Sequence, residues 1–303
     1  MKNTLKRSAL FQQNGKTARH FFRKTEKLQT LPNGIRYNNL MEKIALLTGV
    51  SGGIGSAILD ELIKLGYEVY GLDIKDIKVK EHFHFFRCDI KSEASVNDCY
   101  EKIKKEIDHL DIVIHSAGIY DLNSLIEISE DDFKNIFDIN VFGVYRINKT
   151  FTPLLNKGKI VIITSELAPL DPLPFTGIYA VSKASLDKYA YSLRMEMQLL
   201  GHQVIVFRPG AIDTGLLDVS MDRLNKFKKT TTFYKEESKK FDDIVNKVEA
   251  RKIHPSLLAK KIGKVISKRK PRYVYYINRN PLLRMLNALP DKTQNKIIEK
   301  LLK

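Results

Sequence analysis

Apolar runs and helical segments alternate through most of this chain, and that alternation restricts the possible folds more than any other feature. The first run, Lys43–Thr48, ends in a glycine-rich turn, and Ile54–Leu65 then shows apolar residues at helical spacing before Gly66. Continuous apolar strands that alternate with helices are typical of a parallel sheet covered on both faces. We therefore predict an α/β fold with a doubly wound parallel sheet in three layers.

The same alternation continues to the C-terminal third. Further predicted strands are Glu68–Leu72, Phe83–Arg87, Asp111–His115, Lys159–Thr164, Gln203–Phe207 and, as a final strand, Tyr273–Ile277. Further predicted helices are Ser92–Ile107 with Ser92 as N-cap, a long one from about Asp131 to Leu155, Ile178–Leu200, a charged helical stretch over 215–252, Ser256–Ser267, Pro281–Leu289 and Lys292–Leu302.

The turn after the first strand has the features of a phosphate-binding loop. It reads Thr48-Gly49-Val50-Ser51-Gly52-Gly53-Ile54-Gly55. Its glycines permit a tight turn and close approach of the backbone to a pyrophosphate, and the following helix offers free N–H groups. Because the loop joins a strand to a helix, we predict a Rossmann-type dinucleotide site. The expected contacts come from Thr48, Gly49, Ser51, Gly53, Ile54 and Gly55.

An acidic residue at the end of the second strand bears on the choice of dinucleotide. Asp73 lies eighteen residues beyond Gly55. A carboxylate there accepts hydrogen bonds from the adenosine ribose and repels the additional phosphate of NADP. Ile74 follows, and the glycine loop holds no Lys or Arg. We therefore expect NAD, although Lys75 and Lys78 lie near enough to leave NADP open.

Tyr179 and Lys183 are four residues apart in a segment that is predicted to be helical. Their side chains would then lie on one face, one turn apart. A nearby ammonium favours the phenolate, so we expect Lys183 to lower the pKa of Tyr179 from its usual value of about 10. Such a tyrosine can exchange a proton near neutral pH.

With these features in this order, the chain resembles the short-chain dehydrogenase/reductase family over about residues 42–215. Further matching segments are Cys88-Asp89-Ile90, His115-Ser116-Ala117-Gly118, Asn140-Val141-Phe142-Gly143, Ser165 at a strand end, and Pro209-Gly210-Ala211-Ile212-Asp213-Thr214. The resemblance implies that the catalytic residues are Asn140, Ser165, Tyr179 and Lys183. It adds cofactor contacts from Asp89, Ile90, Ser116, Gly118, Tyr179, Lys183, Pro209, Gly210, Ile212 and Thr214.

The resemblance also implies a mechanism. A nicotinamide carries the hydride, while Tyr179 exchanges the proton of the substrate hydroxyl. Lys183 would support Tyr179 and hold the nicotinamide ribose, and Ser165 would hydrogen-bond the substrate oxygen. Asn140 would position a water that connects Lys183 to solvent.

Two positions depart from the family pattern. His115 and Ser116 replace two asparagines that are usual there, and we expect His115 to be structural. Ser165 lies fourteen residues before Tyr179, one more than the family's usual spacing, so that Glu166 takes the nominal position. We assign the extra residue to the Pro-rich loop 169–174 and favour Ser165. The alternative, that Glu166 faces the substrate, stays open.

The positive charge lies at the two ends of the chain. The net charge is +16, with nine Lys and Arg against one acid in residues 1–40 and 23 against seven in residues 223–303. The acidic middle argues against a nucleic-acid-binding protein. We favour a disordered extension for 1–40 over a targeting peptide. We expect one dinucleotide-binding and catalytic domain over 41–278, with a substrate loop at about 214–252, and basic amphipathic helices over 279–303.

Composition also bears on the compartment and the partners. Two cysteines without metal-type spacing argue against a disulfide scaffold and a metal site. No uncharged apolar run reaches the length of a membrane span. We expect a cytoplasmic protein that can touch an anionic membrane through its basic C-terminus. The resemblance implies a homodimer or homotetramer formed through the helices around Asn140 and Tyr179.

The predicted activity is the NAD-dependent interconversion of a secondary alcohol and a ketone. Apolar residues after Thr214, and a loose likeness of the C-terminal third to steroid and retinol dehydrogenases, suggest a steroid-, retinoid- or lipid-like substrate. Two alternatives stay open. One is a 3-oxoacyl or sugar reductase that uses NADP, and the other is a nucleotide-sensing protein without turnover.

Overall fold

The computed structural model describes residues 43–249 and 251–303, and for residues 216–221, 248 and 249 it describes the backbone alone. The prediction for residues 1–40 therefore lies outside the described residues. None of the described helices is both long and apolar enough to cross a bilayer.

A parallel sheet of seven strands forms the middle layer. The strands are β1 (Lys43–Thr48), β2 (Tyr67–Asp73), β3 (Phe83–Arg87), β4 (Leu110–His115), β5 (Leu155–Ile163), β6 (Gln203–Pro209) and β7 (Val274–Ile277). Their order is β3-β2-β1-β4-β5-β6-β7, and every pairing is parallel. The order reverses between β1 and β4, where open α/β sheets bind ligands at the carboxyl ends of the strands. The predicted doubly wound Rossmann-type fold is confirmed.

The helices cover both faces of the sheet and its carboxyl edge. They are α1 (Gly53–Lys64), α2 (Glu93–Ile103), α3 (Glu130–Phe137), α4 (Val144–Phe151), α5 (Gly177–Met197), α6 (Gly215–Thr230), α7 (Lys235–Glu249), α8 (Pro255–Ile266), α9 (Pro281–Asn287) and α10 (Asp291–Leu302). Ser92 caps α2 as predicted, since its side chain accepts a hydrogen bond from the Ser95 N–H group.

Strand residues alternate between two buried cores. On one face, strand residues such as Leu46 and Val113 pack with residues of α2, α4 and α5, among them Val96, Ile147 and Leu186. On the other face, Leu47 and Ile112 pack with residues of α1 and α8, among them Leu59 and Ile262. Each fully buried Leu or Ile contributes roughly 1.5–3 kcal/mol. These two cores hold the strand ends in place.

A third apolar cluster lies apart from the sheet and joins α6, α7 and α10. Phe175, from the loop before α5, packs against Phe227 of α6 and Phe241 of α7, with ring centres 5.0 and 5.3 Å away. The predicted charged stretch over 215–252 is thus two helices with a shared apolar side.

The predicted long helical stretch from about Asp131 to Leu155 is present, since residues 130–154 are helical throughout, but it is not one regular α-helix. A π-helical turn, Asp138–Gly143, separates α3 from α4, and a 3₁₀ turn, Thr152–Leu154, leads directly into β5. The π-helical turn carries Asn140, whose side chain bonds to the backbone of Ile119. π-Helical turns of this kind often mark functional sites.

An ion pair fixes α5 to the sheet. The guanidinium of Arg208 on β6 donates to both carboxylate oxygens of Asp187 on α5, at 2.8 and 2.6 Å. The same guanidinium donates to the hydroxyl of Tyr276 on β7 at 2.5 Å, and the Thr164 hydroxyl also donates to Asp187. Bidentate Arg–carboxylate pairs hold their geometry well. Both side chains are nearly buried, with 13% and 11% exposed.

Replacement of Arg208 by Met should lower the free energy of unfolding by about 3 kcal/mol, because the buried Asp187 carboxylate would lose its counter-ion. Chemical denaturation measures the change. The matched control is Lys102→Met, which removes the exposed Lys102–Asp98 pair and should leave the unfolding midpoint unchanged. Equal losses in the two variants would contradict this role of the buried pair.

Candidate active site

A cavity lies at the carboxyl ends of β1, β4, β5 and β6. Most of the predicted site residues line it: Ile54, Ser116, Gly118, Ser165, Tyr179, Lys183, Pro209, Gly210, Ile212 and Thr214. These residues come from five separate segments of the chain. The sheet topology brings them together, because parallel strands end at one edge.

Tyr179 and Ser165 form the polar centre of the cavity. Tyr179 lies in the first turn of α5, and Ser165 follows the end of β5. Burial raises the pKa of Tyr179 to about 12, while its hydrogen bond with Ser165 acts in the opposite direction and the nearby Glu166 adds to the rise. The phenol is therefore protonated at neutral pH.

Lys183 lies one turn further along α5 and is buried. Its ammonium donates to the carbonyl oxygen of Ile163 at 3.2 Å and lies 5.8 Å from the centre of the Tyr179 ring. Burial lowers the pKa of Lys183 to about 8. The expected lowering of the Tyr179 pKa by Lys183 is not found, because desolvation of the phenolate outweighs the other influences on it.

Asn140 supports the site from the π-helical turn. Its side-chain oxygen accepts from the Ile119 N–H group, and its amide donates to the Ile119 carbonyl and to the Ser182 hydroxyl. It therefore connects α5 to the segment after β4. A Cβ atom on Gly118 would lie 3.1 Å from the Asn140 oxygen and 3.4 Å from the Lys183 ammonium. These close contacts place Gly118, Asn140 and Lys183 together.

Ser165 and Glu166 both lie on the cavity, in different surroundings. The Ser165 hydroxyl accepts from the Leu167 N–H group at 3.2 Å and is near enough to the Tyr179 phenol to lower its pKa. Glu166 instead accepts from the Asn280 N–H group at 2.7 Å. The hydroxyl expected beside Tyr179 is thus present, and the residue after it contributes a carboxylate to the same cavity.

The glycine loop fits a pyrophosphate. Gly49 has a φ of +72°, and a Cβ atom there would lie 2.6 Å from the Ala117 nitrogen. A Cβ atom on Gly55 would lie 2.0 Å from the Gly49 oxygen. The N-cap of α1, Gly52, supplies no side-chain acceptor, and the first turn contains no acid. The N–H groups of this helix end are therefore suited to an anion.

Three predicted cofactor residues make polar contacts in or beside the loop. Asp73 accepts from the N–H group and the hydroxyl of Ser51, at 2.9 and 2.8 Å. The Thr48 hydroxyl is buried and accepts from the Ala117 N–H group, so it connects β1 to β4. Asp73 and Ser51 thus form one polar group at the end of β2.

Asp89 and Ile90 lie after β3, outside the cavity that contains Tyr179. Asp89 accepts from the Lys91 N–H group, and its own N–H group donates to Ser95. A Cβ atom on Gly143 would lie 2.6 Å from the Ile90 side chain. Asp89 and Ile90 therefore lie at the carboxyl edge of the sheet, as the glycine loop does.

His115 is a structural residue, as expected. It is buried, and its Nε2 atom lies 2.8 Å from the Asn148 side-chain oxygen. Burial lowers the pKa of His115 to about 4, so the ring is neutral at neutral pH. His115 also lies outside the set of residues that line the cavity with Tyr179.

Two features of the site were missed in the sequence. The contact between Glu166 and Asn280 brings the segment before α9 to the cavity, and Leu283 of α9 also lines it. The aromatic contacts of Phe175 hold the loop before α5. The only available signal was the extra residue between Ser165 and Tyr179, which alters this loop.

Comparisons with known proteins agree with this geometry. A family model described as short chain dehydrogenase matches residues 43–224. A 3-ketodihydrosphingosine reductase of Bacteroides thetaiotaomicron is 26% identical, over 83% of this chain and 95% of its own. An NADPH-dependent 3-dehydrocapnine reductase of Ornithobacterium rhinotracheale is also 26% identical, over 86% and 98%.

A solved structure shows the same fold. A short-chain dehydrogenase from Streptomyces avermitilis has a TM-score of 0.66 and 17% identity, and the match covers 85% of this chain and 95% of that one. The family model covers more than half of the present chain. The chain therefore belongs to the short-chain dehydrogenase family and is an oxidoreductase that acts on CH–OH or keto groups with a nicotinamide dinucleotide.

Proposed function

We propose that this protein uses NAD to interconvert a secondary alcohol and a ketone on an apolar, lipid-like substrate. The observation that carries the proposal is the Ser165–Tyr179–Lys183 centre at one end of a cavity with largely apolar walls. Those walls include Leu167, Leu173, Phe241, Ile244, Val245 and Leu283. Such walls suit a hydrocarbon substrate, while the three polar residues suit a single oxygen atom.

Each polar side chain has a separate task in ketone reduction. A bound nicotinamide supplies the hydride. The Ser165 hydroxyl hydrogen-bonds the substrate carbonyl in this proposal and stabilises the negative charge that develops there. Tyr179, which is protonated in the free protein, donates the proton to that oxygen. The Lys183 ammonium then stabilises the resulting phenolate, and Asn140 positions α5 through Ser182.

The relatives support a lipid-like substrate. The two reductases reported above match the chain over nearly their whole length, and one of them is named for 3-ketodihydrosphingosine, a long-chain aminoketone. The high pKa of Tyr179 favours the acid form that reduces a ketone. The same geometry suits a steroid-like ketone, since both substrates present one carbonyl on an apolar body.

Asp73 supports NAD as the cofactor. Its carboxylate is fixed beside the glycine loop by Ser51 and by the Lys75 N–H group. A fixed negative charge at this place disfavours the additional phosphate of NADP. NADP is the second candidate, because one of the relatives is named as NADPH-dependent.

Two surfaces support the expected partners. Exposed apolar side chains on α4, α5 and the turn between α3 and α4 include Phe142, Tyr145, Val181 and Tyr191. We propose that this surface forms the contact between subunits. On α9, Leu282 and Met285 are exposed, and basic residues such as Arg284 and Lys292 are near them in the sequence. We therefore propose that this end of the chain touches anionic membranes.

Replacement of Tyr179 by Phe should lower kcat/KM for ketone reduction by about 10²–10⁴-fold, because the proton donor is lost. Oxidation of NADH by the purified variant measures this loss. Binding of NADH, followed by fluorescence, should stay within a few-fold of wild type. A variant with wild-type turnover would rule out Tyr179 as the proton donor.

The reduction rate should fall at alkaline pH. The relevant measure is kcat/KM for the cofactor, which reports the ionisable groups of the free enzyme. Lys183 loses its proton as the pH rises through about 8, and the neutral amine no longer stabilises the phenolate. The profile should therefore decline with a midpoint near pH 8. A profile that stays flat to pH 10 would contradict this role.

Substitution of Asp73 by Ala should shift the cofactor preference toward NADPH, since the charge that repels the additional phosphate is removed. The measure is the ratio of kcat/KM for NADH to kcat/KM for NADPH, which should fall about tenfold or more, equivalent to about 1.4 kcal/mol. Asp76→Ala, at an exposed residue three positions further along, is the control and should keep the wild-type ratio. An unchanged ratio in Asp73→Ala would show that Asp73 does not select the cofactor.

A further inference from the structure

Glu166 places a carboxylate in the substrate cavity, beside the catalytic hydroxyl. It directly follows Ser165, and its N–H group donates to the Pro209 carbonyl at 2.8 Å. The residue is 5% exposed and lines the same cavity as Ser165 and Tyr179. Its charge also reaches Tyr179, whose pKa it helps to raise. Glu166 therefore lies near the position where the substrate carbonyl is expected.

The two carboxylate oxygens of Glu166 differ in their contacts. Oε2 accepts from the Asn280 N–H group at 2.7 Å, which holds the side chain in place. Oε1 lies against Gly210, 2.7 Å from the position of a Cβ atom there. The hydrogen bonds found among the described residues supply no donor to Oε1. One oxygen is thus fixed to the protein, and the other is left for a ligand.

Among the described residues, no cation forms an ion pair or a hydrogen bond with this carboxylate. The Lys183 ammonium donates to Ile163, and the Arg279 guanidinium lies 4.0 Å from the centre of the Tyr276 ring. Arg279 attracts the carboxylate without a hydrogen bond to it, and burial raises the pKa of Glu166. A buried carboxylate without a paired cation is costly, so a cationic group that enters the cavity gains a charge-assisted hydrogen bond.

The position of Glu166 defines where the cation lies on the substrate. Ser165 and Tyr179 are the proposed contacts of the carbonyl oxygen, and Glu166 lines the same cavity with its charge close enough to act on the Tyr179 phenol. A group that reaches Oε1 is therefore attached close to the reacting carbon. The apolar walls accommodate the remainder of the molecule.

We propose that Glu166 is a specificity-determining residue that binds an ammonium group next to the reacting carbonyl, so that the substrates are long-chain aminoketones. This inference rests on the proposed ketone reduction at the same site. It requires Oε1 to accept a hydrogen bond from the ammonium while Oε2 keeps its bond to Asn280.

The test compares two ketones that differ only in the amine. One is 3-ketodihydrosphingosine, and the other is the same long-chain hydroxyketone without the amino group. Wild-type enzyme should reduce the aminoketone with a kcat/KM at least tenfold higher. In Glu166→Gln, which keeps an oxygen acceptor for Asn280, this preference should fall to about one. The loss should arise mainly from a higher KM for the aminoketone, because the ammonium binds in the ground state as well as in the transition state.

The matched control is Glu127→Gln, at a carboxylate that bonds to Thr231 and Thr232 outside the cavity. It should keep the preference of the wild type. A structural defect in Glu166→Gln would lower kcat/KM for both ketones alike and would leave their ratio high, and that result would overturn the inference.

The outcomes separate this inference from the proposed function. Wild-type reduction of both ketones at similar rates would overturn the role of Glu166 and leave ketone reduction intact. Reduction of neither ketone, by an enzyme that binds NADH, would overturn both. The wild-type comparison needs no variant, so poor folding of Glu166→Gln cannot prevent a decision.

Discussion

The ion pair between Asp187 on α5 and Arg208 on β6 is the contact on which the geometry of the site depends. It fixes α5 across the carboxyl ends of the central strands, and Tyr276 extends the connection to β7. Tyr179 and Lys183 lie on the same helix, about two turns and one turn before Asp187, respectively. The pair therefore sets the distance from the proton donor to Ser165 at the end of β5, while the two apolar cores hold the strands themselves.

Burial then determines the chemistry of the residues placed in this way. Desolvation acts on both Tyr179 and Lys183: it raises the pKa of Tyr179 and lowers the pKa of Lys183. The consequence is a protonated phenol beside an ammonium that titrates near the upper end of the physiological range. Glu166 raises the pKa of Tyr179 further, so a cation that binds Glu166 also acts on the proton donor. In the proposed complex, binding of the substrate ammonium at Glu166 would therefore also change the pKa of the Tyr179 proton donor.

Local patterns in the sequence predicted most of the fold and most of the positions in the site. The strands, the glycine loop and the helix with Tyr179 and Lys183 each depend on neighbouring residues, and the sheet topology confirmed their arrangement. Features that depend on distant partners were not predictable. The π-helical turn reflects the bonds of Asn140 to Ile119, 21 residues away. The Glu166–Asn280 contact joins residues 114 apart. The pKa of Tyr179 was expected to fall because the four-residue spacing places the Lys183 ammonium nearby. The same spacing does not reveal that Tyr179 is buried, and burial raises its pKa.

The proton-transfer role of Tyr179 can be measured in a single-turnover reduction of a long-chain ketone by enzyme loaded with NADH, in H₂O and in D₂O. NADH should be oxidised when the ketone is added, and the reaction should be slower in D₂O, because the proton moves from the Tyr179 hydroxyl to the substrate oxygen. Oxidation at equal rates in the two solvents, or no oxidation of bound NADH, would contradict this role.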